Sequence, residues 1–268
     1  MSLTLNEASH RYRLDGRPVP NVTTIINGGL PKGALVDWAA RTVAEAAVRT
    51  PDTVGAMVRD LGPEAAAKAL AEAPNSVRNR AAAQGTAVHD LGERLAHGDE
   101  ASLEGLDERT AALVHAYVGW LDAFEPDVVA TERLVAHRGL WYAGKFDLLA
   151  RLGGVLWLLD LKTSRGVYHD TAVQVAAYAG AEFMVDPATG DEVPMPEVAH
   201  LGVVHVTTEG ADLYPLGPLA PAFAEFEACL ATYRGTSRRR REVRLEAPLS
   251  PDEVGAAPML WTAPGVLS

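Results

Sequence analysis

Two apolar runs joined by adjacent glycines, residues 141–152 and 155–162 around Gly153-Gly154, constrain the fold of this chain more than any other stretch. Paired glycines between such runs signal a two-residue β-hairpin, because a type I′ turn needs positive φ at both central positions. Partners in that hairpin share a constant sum of residue numbers, so Leu152 faces Val155 and Asp147 falls opposite Asp160. Directly opposed residues have Cβ atoms about 4.5–5.5 Å apart on one side of a sheet. Two ionised carboxylates so placed repel unless a cation sits between them, and oxygen ligands favour Mg²⁺ or Mn²⁺ over zinc. Alternation adds Lys162 to that face and turns Leu159 and Leu161 toward a core.

The rest of the chain supplies what such a hairpin needs around it. Residues 11–26 read as a short hairpin turning at Asp15-Gly16 and ending in the β-branched run Val22-Thr23-Thr24-Ile25-Ile26. Helical patterns follow at 35–48 and 63–73, then a long helix to about 96 that Asn75 or Ser76 could cap, and another from Asp107 through Phe124. Strands are expected at 128–136, 141–152 and 155–161, a helix at 171–184, a strand at 200–207 and a last helix at 220–233. The expected whole is one 268-residue domain of α/β class: an N-terminal hairpin and helices (1–75), a catalytic core (76–210), and a C-terminal helix and tail (211–268). No signal peptide pattern or apolar run long enough to span a bilayer is present, so a cytoplasmic protein without membrane contact is expected.

Charge and cysteine content exclude some chemistries. A net charge of −11 argues against indiscriminate nucleic-acid binding. The one dense basic cluster, Arg238-Arg239-Arg240-Arg241 with Arg234 and Arg244 beside it, is either a solvated helix end or a DNA contact. The single cysteine, Cys229, rules out an internal disulfide and any Cys-rich metal site, and reads as a buried bystander.

Three further groups of residues bear on the acid pair. His89 and Glu93, four apart on the long helix, share a face; His89 is a candidate third ligand, and Glu93 either binds or orients a water or pairs with Arg94 or Arg80. Lys162 ends a strand too apolar for a solvated edge, where a charge needs a partner or a purpose, and a lysine there can orient a nucleophilic water. Glu132 falls opposite Lys145 if Arg138-Gly139 forms the preceding turn, with Lys145 itself facing Lys162; it either joins the patch or makes a structural ion pair. Gln174 and Tyr178, again four apart, can support a phosphate or a DNA strand.

Taken in order, Gly85-Thr86-x-x-His89, Gly144-x-x-Asp147, Asp160-Leu161-Lys162-Thr163 and Gln174-x-x-x-Tyr178 resemble the RecB-like branch of the PD-(D/E)xK nuclease superfamily, over roughly residues 85–178. The opening Val22–Ile26 run, Pro31-Lys32 and Trp38-Ala39 resemble the N-terminal part of its phage-type members. The resemblance implies a restriction-endonuclease-like core, a central mixed sheet flanked by helices. It implies Mg²⁺-dependent DNA hydrolysis, with Mn²⁺ able to substitute. His89, Asp147, Asp160 and the Leu161 carbonyl would ligate the metal, with Asp147, Asp160, Lys162 and Glu93 as the catalytic group. Gln174, Tyr178, Thr163, Arg238 and Arg239 would contact substrate. Related adaptation nucleases carry a four-cysteine iron–sulfur cluster that this chain cannot hold, so the phage-type exonuclease is the better fit. That implies DNA recombination or repair in the host cytoplasm if the protein is phage-encoded, with a single-strand annealing protein as partner and homo-oligomers among the family's forms. The competing readings are a non-catalytic nuclease fold that binds DNA ends or a recombination partner, and an endonuclease of the same superfamily.

Overall fold

The computed structural model describes residues 3–31, 33–96, 104–164 and 166–242. The chain divides into two units, Met1–Tyr233 and Arg234–Ser268. The first unit opens with strands β1 (Leu3–Asn6), β2 (Arg11–Leu14) and β3 (Arg17–Val19), which pair in that order. Five helices follow: α1 (Val22–Gly29), α2 (Gly33–Arg49), α3 (Pro51–Leu61), α4 (Pro63–Ala71) and α5 (Ala73–Ala96). Then come α6 (Glu108–Phe124), β4 (Asp127–His137), β5 (Tyr142–Leu152), β6 (Val155–Lys162) and α7 (His169–Ala179). The chain continues through β7 (Phe183–Val185), β8 (Glu192–Pro194), β9 (His200–Val206) and β10 (Ala211–Pro215) into α8 (Leu219–Glu242), which enters the second unit at Arg234.

The expected architecture is present: a seven-stranded mixed sheet, in the order β10-β9-β6-β5-β4-β7-β8, flanked by helices. Only β6 and β9 run parallel, as the intervening α7 crossover permits. One face packs Phe146, Leu149, Leu156 and Leu158 against Val22 and Ile25 of α1, Val173 and Ala176 of α7, and Phe226 and Leu230 of α8. The other packs Leu148, Ala150, Leu159, Leu161 and Val204 against Val88 of α5 and Leu113, Tyr117 and Trp120 of α6. The sheet is therefore covered on both faces, which is why β5 and β6 read as continuous apolar runs. Gly153 and Gly154 have φ of +56° and +83°, and Leu152 pairs with Val155, so the turn and its register are as the paired glycines predict. Asp107 caps α6 as expected, accepting from the Arg109 and Thr110 amides. Cys229 is buried under the first face. Among the described residues no helix is long and apolar enough to cross a membrane.

Several elements differ from the sequence reading. The run Val22-Thr23-Thr24-Ile25-Ile26 is the helix α1, not a strand: the Asn21 side chain accepts from the Thr24 amide at 2.7 Å, and Val22, Ile25 and Ile26 bury at helical spacing. N-cap and packing together override β-propensity. The helix expected at 171–184 stops at Ala179, because Phe183 and Met184 pair with β4 as β7. Helix α5 starts at Ala73 and runs through Asn75 and Ser76, whose side chains do not cap it: Asn75 Nδ2 donates to Glu72 instead. The last helix extends beyond 233 to Glu242. Strands β1, β8 and β10 and helix α3 have too little periodicity in 3–11 residues to be read from the chain.

Candidate metal centre

The site forms where the sheet breaks its own rules. The β5–β6 ladder holds the predicted register as far as Leu148↔Leu159 and then ends. Asp147 and Asp160 are thus not a bonded cross-strand pair, and Lys145 does not face Lys162. Beyond that point β6 continues to pair with β9 through Lys162↔His205, while β5 continues with β4. The strands fork, and Asp147 Oδ2 fills the gap by accepting the Leu161 amide at 2.7 Å. A carboxylate there replaces the backbone acceptor that an unbroken ladder would supply.

A second irregularity sits across β5. Ala130 and Val135, five apart on β4, pack into the same core as Phe146 and Leu149, three apart on β5. Unbroken alternation would put each pair on opposite faces. The phase changes at Glu132, a non-glycine residue at φ +49°, and at Asp147, which occupies the register position across from it. The register is two residues from the expected one, because the turn closes from Arg138 to Trp141. Glu132 is therefore not opposite Lys145, yet it still ion-pairs with Lys145 through Oε2. Left-handed backbone at such a residue costs about 1–2 kcal/mol.

His89 reaches into this break from α5. Its Nε2 lies 3.0 Å from the Leu161 carbonyl, and since a carbonyl can only accept, Nε2 carries the proton. Its Nδ1 lies 3.5 Å from Glu132 Oε1 and 3.6 Å from Asp147 Oδ1. His89, Glu132 and Asp147 could hold a metal ion: one ligand atom from each lies within 4.8 Å of the others. Helix α5 comes this close because Gly92 bears no Cβ; one would sit 2.9 Å from the Tyr117 ring. The partly open pocket lined by these residues with Asp160 and Glu93 has about 20 Å³ of water-accessible space, room for an ion or a water.

Asp160 lines the same cavity with its side chain 3% exposed. Lys162 Nζ donates to Oδ1 at 3.1 Å, and Gln174 Nε2 approaches Oδ1 at 3.3 Å while donating to the Tyr178 hydroxyl at 3.0 Å. Nζ is closer still to Oδ2, at 2.8 Å, but off the line of a hydrogen bond; among the described residues no donor meets Oδ2 in hydrogen-bonding geometry. The Lys162 ammonium offsets the charge on that oxygen, and the Asp160 side chain also lines the cavity, where a cation could reach it. Tyr178 lies against Gly144, where a Cβ would come 2.4 Å from its ring.

Electrostatics follow from this crowding. Burial opposes a charge on His89, but Asp147, Glu132 and Asp160 outweigh it and raise its pKa to about 9. Burial pushes Asp147 up to about 6, with His89 opposing and Asp160 assisting. Burial also pushes Glu132 up, yet His89 and Lys145 hold it below the usual carboxylate range. Lys162 is raised, because Asp160 and Asp147 outweigh the cost of burying its ammonium.

Glu93 lines the cavity and accepts from the Thr131 hydroxyl at 3.1 Å. The Leu161 carbonyl is at the centre, and Thr163 follows β6 near α5, its hydroxyl 3.5 Å from the point where a Cβ on Gly85 would stand. Arg238 is exposed on α8 in the second unit; the side chain of Arg239, and Arg244 altogether, lie outside the described residues. Glu132 is the residue whose place at the centre sequence reasoning underrated. The single cysteine excludes a cysteine-held iron–sulfur cluster. No protein-family model and no characterised protein matches the chain.

Proposed function

We propose that this protein is a Mg²⁺-dependent deoxyribonuclease, an exonuclease of the PD-(D/E)xK type acting in DNA recombination or repair. The observation that carries the reading is Asp160: a buried carboxylate paired with the Lys162 ammonium and approached by Gln174, in a cavity shared with Asp147 and His89. Asp147, Asp160, His89 and the Leu161 carbonyl are the residues that would hold the ion. Once bound, Mg²⁺ or Mn²⁺ supplies positive charge to a phosphodiester and eases ionisation of water beside it.

The chain's own residues would do the rest. Lys162, its ammonium anchored on Asp160, positions the attacking water and adds positive charge where the pentavalent phosphate gains negative charge. The water oxygen bonds to phosphorus as one bridging P–O bond breaks, and a proton ends on the leaving oxygen. Gln174 fixes Asp160 and the Tyr178 hydroxyl together, so α7 sets the position of the acid at the end of β6. Thr163 and the arginines of α8 would contact the DNA backbone.

Linear duplex DNA incubated with the protein and Mg²⁺ is the test. Degradation is expected in the wild type and its loss, by at least about a hundredfold, in both Asp160→Ala and Lys162→Ala. Wild-type activity in either variant would sink the assignment. A closed circle left intact beside a degraded linear duplex identifies an exonuclease, and a nicked circle an endonuclease. Binding of DNA ends without cleavage under any divalent ion would make the protein a non-catalytic binder.

A further inference from the structure

We propose that Glu132 is a ligand of the metal centre, reaching it through Oε1 on the Nδ1 side of His89, while its second oxygen pairs with Lys145 outside the centre. The inference rests on the metal-dependent reading and extends it, since the resemblance to nucleases assigns the ion only to His89, Asp147, Asp160 and the Leu161 carbonyl.

Four observations converge on it. Nε2 of His89 is engaged with the Leu161 carbonyl, so the lone pair of the neutral imidazole faces Glu132 Oε1 and Asp147 Oδ1. At 3.5 and 3.6 Å those contacts are long for hydrogen bonds, and one ligand atom each from His89, Glu132 and Asp147 lies within 4.8 Å of the others, close enough to share a cation. Glu132 also departs from strand geometry, at φ +49°, which turns it out of the β4 alternation; an ion pair on a strand surface needs no such departure. Finally, Asp160, whose Oδ2 no donor among the described residues meets in hydrogen-bonding geometry although the Lys162 ammonium lies 2.8 Å away, lines the same cavity. Lys145 pairs with Glu132 Oε2, and Oε1 lies toward His89.

Two substitutions break the same ion pair, but only one removes a ligand, and this separates the proposal from a structural role. Mn²⁺ is titrated calorimetrically into the full-length wild type, Glu132→Gln and Lys145→Met, with thermal melts alongside. Glu132→Gln is expected to bind Mn²⁺ at least about tenfold more weakly, while Lys145→Met, which deletes a nearby positive charge, binds as tightly as wild type or tighter. Equal losses in the two variants, or an undiminished affinity in Glu132→Gln, would overturn the proposal and leave the metal centre standing. A wild type that takes up no Mn²⁺, with or without duplex DNA, would overturn the metal-dependent reading itself. Should Glu132→Gln fail to fold, Glu132→Asp takes its place, and its expected loss is read against the same Lys145→Met control.

Discussion

His89 is the residue whose chemistry most directly links stability to occupancy. Its pKa rises from 6.5 in the unfolded chain to about 9 in the metal-free fold, so its contribution to stability is fully present below pH 6.5 and is lost as pH climbs through 9. A shift of that size, on a side chain 27% exposed, is worth on the order of 3 kcal/mol before screening. Thermal melts in chelator should therefore fall between pH 6.5 and 9 in the wild type, and His89→Asn should flatten that fall. Metal binding needs the neutral imidazole, so the stabilisation conferred by Mn²⁺ should move the other way and grow over the same interval. Gly144 is the second residue with a sharp consequence. Its missing Cβ is what admits the Tyr178 ring, so Gly144→Ala should cost about 1–3 kcal/mol in urea unfolding and lower activity by displacing the hydroxyl that Gln174 holds.

Among the elements, α1 is the one whose identity decides how the site strand is held. Asn21 caps α1 and bridges to Ala143 on β5, and Val22 packs beside Gly144. Asn21→Ala should lower stability by about 1 kcal/mol, measured as a lower urea midpoint with an unchanged m-value. Asn21 is not read as a cap from the sequence, because the β-branched run behind it carries strand propensity, and only burial at helical spacing reveals the helix. Elsewhere legibility tracked local chemistry. Gly153-Gly154 and Asp107 each specify a turn or a cap within a few residues, and they stand as read. The carboxylates, His89 and Lys162 were legible because their types and spacings survive any small error in geometry. Hairpin arithmetic, in contrast, assumes an unbroken ladder, and nothing local marks the fork at Leu148↔Leu159. Glu132 was legible as a partner of Lys145, but its turn toward His89 was not, because left-handed backbone is advertised by glycine or asparagine and here a glutamate adopts it.

At the scale of the molecule, the tension is between an acidic chain, net −11, and the polyanionic substrate proposed for it. The ion at the centre and the arginine cluster at the end of α8 are the two sources of positive charge that the functional reading uses. Replacing Arg238, Arg239, Arg240 and Arg241 with alanine should leave Mn²⁺ affinity intact but weaken duplex binding, flattening the slope of log K against log salt by about 3–4 if all four meet phosphates. An unchanged slope would return the cluster to a solvated helix end. The fork between β5 and β6 has one more use. Because it hands the Leu161 amide to Asp147 instead of to a strand, that single proton senses the charge on the carboxylate directly. Its NMR cross-peak should shift as Mn²⁺'s diamagnetic counterpart Mg²⁺ is added, giving a spectroscopic gauge of occupancy that needs no DNA and no turnover.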